Sequence, residues 1–331
     1  MKKKTAQRIF CFKLILVVLI TCVLTTSCSE EESQSSTNSY TILAEQLELA
    51  AMDVHEVLNG PGNQNFLMKA PDNGDVSDKW VMDIRNASDY VKGHIPGAKH
   101  AGYKDILTEA AAAHKPVLIV DYTGEVASYA AILLRLYGYH DAQALKWGMS
   151  GWSEEFDVWS FNTQDLTNAS NWSHELKESG TFHLPQLSTT SSGGDAIVKE
   201  RVEKVFAAGY KPVRPGEVLE NPSDYFINSY MPLNDYLGFG HIQGAVQIYP
   251  LNLANMNRID SQRDVVIYSH SGHISAAVTA YLNVLGFNAY NLKYGLNGMT
   301  TSNPYWLETN FSDHWGSNAR PKNLPVYTET E

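Results

Sequence analysis

Two stretches of the chain repeat one order of apolar and polar positions. The first opens with a strand-like run at residues 79–84, ending Asp83-Ile84-Arg85, and a helical stretch at 87–92. Gly93-His94-Ile95-Pro96-Gly97-Ala98 then leads into a strand toward Tyr103. Residues 116–120, Pro-Val-Leu-Ile-Val, form a continuous apolar run between polar residues, the pattern of a parallel strand buried on both faces. A loop at 121–126 feeds a helix over 128–138, which Gly138 stops. A last strand at 142–145 ends in Lys146-Trp147-Gly148-Met149-Ser150-Gly151-Trp152.

The second stretch has the same order. A strand at 225–229 and a helix at 232–237 precede Gly240-His241-Ile242-Gln243-Gly244-Ala245. A buried strand at 264–268, a loop at 269–274 and a helix at 275–286 follow, with Gly286 as stop. The last strand, 288–292, runs into Lys293-Tyr294-Gly295-Leu296-Asn297-Gly298-Met299. The spacing is conserved between the copies: His94 precedes Asp121 by 27 residues and His241 precedes Ser269 by 28. An internal duplication of an α/β unit accounts for this. The expected organisation is a first domain at 41–158, a Ser-, Thr-, Asn- and Gly-rich linker at 159–195 and a second domain at 196–331.

The N-terminus breaks the pattern. Lys2, Lys3, Lys4, Arg8 and Lys13 precede an almost wholly apolar run at 15–24, too short for a comfortable membrane span. Thr25, Thr26 and Ser27 then lead to Cys28, and small residues ending on cysteine resemble the lipobox of bacterial lipoproteins. The resemblance implies a signal peptide at 1–27, lipidation of Cys28 and a place in the cell envelope on a lipid anchor, with the outer membrane favoured. Residues 28–40, polar and acidic, read as a flexible tether. Removing 1–27 takes away five positive charges and moves the formal net charge from −11 to −16. That balance argues against a nucleic-acid partner. The three cysteines are Cys11, Cys22 and Cys28, so the expected folded part has none, and neither a disulfide nor a cysteine-based metal site is available to it.

The duplicated unit resembles the rhodanese domain of the sulfurtransferase family. Asp83-Ile84-Arg85, the two Gly-His-Ile-x-Gly-Ala blocks, the strand–loop–helix units and the glycines after each last strand carry the resemblance. It implies an α/β fold of two rhodanese-like domains, each a parallel-stranded sheet flanked by helices. In that family a catalytic cysteine opens the loop after the central strand, in a pattern close to Cys-x-x-Gly-x-Arg-Ser. Successive backbone N–H groups of the loop then stabilise a thiolate or bound oxyanion. Aligned on Gly124 and Gly272, the chain has Asp121 and Ser269 at the cysteine positions, and Val126 and Ile274 where the arginine would be.

No catalytic residue is therefore expected. A carboxylate at 121 would fill the nest and cap the following N–H groups. Ser269 would leave the second nest neutral and open. Ser269, His270, Ser271, Gly272, His273, Ile274 and Ser275 are the candidate anion-binding residues, for a small oxyanion such as phosphate or sulfate. No metal and no cofactor is expected, since His270 and His273 lack an evident third ligand. His94 and His241 read as structural. The functional expectation is a non-catalytic, membrane-tethered binding or scaffold module in an envelope protein complex. The alternative is altered chemistry at the Ser269 loop on a sulfur or phosphorus oxyanion. Residual sulfurtransferase activity is a third reading.

Overall fold

The two short apolar runs Val117–Val120 and Val265–Tyr268 lie inside two parallel sheets, every residue buried. Both faces of each are covered, which is why the runs carry no polar alternation. A computed structural model describes residues 31–309 and 311–328. The proposed signal peptide and Cys28 lie outside the described residues.

The first sheet contains β1 (Leu67–Met68), β2 (Trp80–Asp83), β3 (Lys99–His100), β4 (Val117–Val120) and β5 (Gln143–Leu145), in the order β1-β5-β4-β2-β3. All its pairings are parallel. After β6 (Trp172–Ser173), the second sheet is built from β7 (Pro212–Val213), β8 (Phe226–Ser229), β10 (Val265–Tyr268) and β11 (Ala289–Leu292). Its order is β7-β11-β10-β8, again all parallel. A parallel bridge from Asn228 to Val246 stands where β3 stands in the first sheet. The chain is thus an α/β fold of two similarly wound units.

Four helices fill the space between the sheets: α1 (Glu31–Leu49), α2 (Glu125–Tyr137), α3 (Gly194–Ala208) and α4 (His273–Val284). The closest of these pairings is α2 against α4, and α3 packs on both and on α1. One apolar core runs through them, from Ala127–Leu136 across to Ala276–Leu285. Both loop helices start earlier than their apolar periodicity suggests, at Glu125 and His273, because each begins at the glycine that closes its loop.

Three boundaries differ from the sequence expectation. The stretch expected as a tether is helical from Glu31. Tyr40, Leu43 and Leu47 form a buried stripe facing α3, and the docking of that stripe supports the helix. The linker at 159–195 is not free chain either. Its β6 pairs antiparallel with β9 (His241–Ile242), and Leu166 N–H donates to Met299 O at 2.7 Å. Finally, residues 322–327, at the end of the expected second domain, run along the first. Lys322 and Leu324 donate to Gly151 O and Trp152 O, and Tyr327 pairs with His94. Leu324 and Val326 pack on the first domain's apolar cluster around Trp152. Each unit is therefore covered by a segment from outside its own repeat.

Candidate functional site

The loops at 121–126 and 269–274 leave the carboxyl ends of the central strands and turn into α2 and α4. The turn needs a left-handed residue, supplied by Gly124 (φ 88°) and Gly272 (φ 79°). Space imposes the same choice, since a Cβ on Gly124 would stand 2.6 Å from His273 Nε2.

In the first loop the Asp121 carboxylate is 2% exposed. Oδ1 accepts the Gly124 N–H at 2.6 Å and Oδ2 the Val126 N–H at 3.2 Å. Burial pushes this carboxyl up, against the pull of the loop N–H donors. The first nest thus holds its own anion. In the second loop Ser269 is equally buried. Its hydroxyl donates to Ser275 Oγ at 3.2 Å and accepts the Ser275 N–H at 3.3 Å. Ser275 in turn donates to Gly272 O at 3.1 Å.

The structure brings Ser269, Ser271, His273 and Ser275 together, all buried rather than open to solvent. His270 leaves the group. Its Nε2 lies 3.2 Å from Asp235 Oδ2, an ion-pair distance without hydrogen-bond alignment, and its ring packs on Phe311. A second carboxylate, Asp313, approaches Ser271 Oγ at 3.5 Å while pairing with Lys146. The second loop is therefore closed and flanked by carboxylates, not the open neutral cradle read from the sequence. Both carboxylates already have basic partners, Asp313 with Lys146 and Asp235 beside His270, and together with the burial of the loop they leave no open, uncompensated cradle for an anion. Among the described residues no group of three or more His, Cys, Asp or Glu side chains is placed to hold a metal ion.

Glu125 is what sequence reasoning missed, and His273, expected as an anion-binding residue, has a structural role instead. They hold the same place, one residue past the loop glycine, and each reaches into the other unit. Glu125 Oε1 accepts the Tyr294 N–H at 2.8 Å and an Asn291 Nδ2–H at 3.0 Å. Burial pushes the Glu125 carboxyl up to about 7, with Asp121 adding to the rise and the Tyr294 N–H and Lys293 opposing it. His273 Nε2 lies 3.1 Å from the Trp147 amide nitrogen and 3.0 Å from Thr123 O. Burial brings this imidazole down to about 3, so the ring is neutral and serves one of the two. With Nε2 accepting from Trp147, Nδ1–H donates to Ser271 Oγ at 2.9 Å. Trp147 and Tyr294 are equivalent residues after β5 and β11. The two loops thus cap each other's last-strand turns across a pseudo-twofold arrangement. The only signal in the sequence was two unlike polar residues at one repeat position.

The remaining motif residues serve the frame. Arg85 Nη2 and Asp83 Oδ2 form a buried ion pair at 2.7 Å, and the same guanidinium donates to Gly93 O at 2.6 Å. His94 stacks on Tyr90 at 3.8 Å and His241 on Tyr236 at 3.9 Å; His94 Nδ1 meets Tyr90 O, and both His241 ring nitrogens meet backbone carbonyls, Ile242 O and Glu175 O.

Comparison with known proteins agrees with this architecture. The model of the family described as "Rhodanese-like domain" matches residues 64–155 and 224–302. Thiosulfate sulfurtransferase GlpE of Pseudomonas fluorescens (strain SBW25) is 33% identical over 88 residues, covering 25% of this chain and 81% of that protein. The protein of the same name from Pseudoalteromonas translucida (strain TAC 125) is 30% identical over 90 residues, covering 25% and 80%. Among solved structures, the 3-mercaptopyruvate sulfotransferase SseA from Escherichia coli matches at 16% identity, covering 70% of this chain and 98% of that one, with a TM-score of 0.26. With the family model matching both repeats and more than half of the chain, this protein belongs to the rhodanese-like, sulfurtransferase family as a tandem member.

Proposed function

We propose that the chain is a non-catalytic member of its family, working as a binding or scaffold module held in a bacterial cell envelope by lipid on Cys28. The observation that carries this reading is the state of the two catalytic positions. Asp121 and Ser269 stand there, both buried and both engaged within their own loops. Neither side chain can carry transferable sulfur, and no cysteine lies between residues 29 and 331. The basic start, the apolar run and Cys28 support the anchor, with the outer membrane favoured and an envelope protein complex as partner.

Altered chemistry at the Ser269 loop is less well supported. The Ser269 hydroxyl bonds Ser275 rather than an imidazole, so no base is poised to activate it. An oxyanion in that loop would meet Asp235 and Asp313. A cyanide–thiosulfate assay on the full chain decides the main point: thiocyanate at the uncatalysed rate is expected, and formation above it overturns the reading. Metabolic labelling with palmitate, lost in Cys28→Ala, tests the anchor. Recovery of a defined envelope protein with the tagged chain from solubilised membranes tests the binding role, which recovery of nothing above background would remove.

A further inference from the structure

The two units share a feature that the loops do not use. In the first, Met68 at the end of β1 pairs with Leu145 at the end of β5, so Lys69 and Lys146 emerge side by side. In the second, Val213 pairs with Leu292, and Arg214 and Lys293 emerge in the same way. The residue after each of these last-strand lysines is aromatic with a left-handed backbone: Trp147 at φ 70° and Tyr294 at φ 64°. A cleft opens at each place, of about 480 Å³ in the first unit and about 610 Å³ in the second. Gly151 and Gly298 line the two clefts at matching positions. The outer wall of each comes from a segment outside the repeat, around 312–322 in the first and 162–166 in the second. Neither cleft is lined by the 121–126 or 269–275 loop.

The first cleft is the more basic. Lys69, Lys146, Arg320 and Lys322 line it, with Asp72 as its one acid. Lys146 is neutralised by Asp313, and Lys322 by Asp72 at 2.7 Å. Lys69 and Arg320 have no ion pair or hydrogen bond among the described residues. Two positive charges are therefore left over in one concavity of a chain whose net charge is −11. Charges act over about 8 Å at physiological salt, so this local excess outweighs the distant acids. The volume exceeds that of a bare oxyanion and lies in the range of small-molecule sites. Trp147, 9% exposed, and Pro321 line the wall and offer an apolar surface for an organic substituent.

We propose that the first cleft binds a small phosphate or sulfate monoester, its dianionic head between Lys69 and Arg320 and its organic part against Trp147. Calorimetric titration of the full chain in detergent with phenyl phosphate, at ionic strength fixed with chloride, tests this. Saturable binding is expected, weakened about tenfold or more in Lys69→Ala and again in Arg320→Ala, as for loss of one charge-assisted contact. Both side chains are exposed, so the fold should tolerate their removal, and unchanged thermal melts of the unliganded variants verify that. Ser269→Ala should bind as the parent does. Absence of saturable binding into the millimolar range overturns the proposal. So does binding indifferent to both basic substitutions, or binding lost in Ser269→Ala.

Discussion

The two loops begin from one geometry and are filled in different ways. Both leave the carboxyl end of a buried strand, turn at a left-handed glycine and start a helix of the shared interface. Asp121 puts a formal charge into its loop and binds two backbone N–H groups at once. Ser269 puts in a neutral hydroxyl that bonds one neighbouring serine. Under the proposed non-catalytic reading, one nest is filled with charge and the other closed with small polar side chains. The fold survives either, because the helix interface and not the loop holds the units together.

The sharpest way to break this comparison is to empty both nests. Asp121→Ala leaves the Gly124 and Val126 N–H groups buried without their acceptor, and should destabilise by about 2–4 kcal/mol in urea denaturation. If it matched Ser269→Ala, the carboxylate would not be the element that fills the first nest. The next effect is pH-dependent and belongs to Glu125. Its folded-state pKa is raised to about 7 from the ordinary 4.5, so the folded state holds the proton more tightly. Its contribution is full below pH 4.5 and is lost as pH rises through 7, by up to about 3 kcal/mol. Urea midpoints at pH 5 and pH 8 should therefore fall less in Glu125→Gln than in the parent. His273 has the opposite sign: its pKa is lowered from 6.5 to about 3, so its contribution is lost as pH falls below 6.5. Ser269→Ala should cost about 1 kcal/mol, the ordinary value of one hydrogen bond. Smallest of all, Ser269→Cys should leave the cyanide–thiosulfate rate at background, since the sulfur would be buried and Ile274 supplies no cation. Turnover in that variant would show that the second loop is open after all.

Much of this was legible along the chain. The buried strands at 117–120 and 265–268 announce themselves as unbroken apolar runs, and the paired Gly-His-Ile blocks align the copies. The positions of Asp121 and Ser269 follow from the loop glycines. The helix at 31–49 was hidden because the sequence at 29–38 is polar and acidic without apolar periodicity, and its docking depends on α3, some 150 positions later. Asp313 was hidden for the same reason. Nothing near it in sequence marks it as the partner of Lys146 and the neighbour of Ser271.

The sequence by itself determined the duplicated α/β winding, the parallel strands and the absence of a thiol from residues 29–331, because each is a property of local pattern or residue identity. Only the tertiary structure decided that the second loop is closed, that Glu125 and His273 cap each other's units, and that linker and tail cover opposite repeats. The caps rest on hydrogen bonds between groups 126 to 169 residues apart, and the tail reaches Gly151, Trp152 and His94 across still longer separations. Such partners are chosen by how the two sheets and four helices pack, and no local stretch of chain encodes that choice.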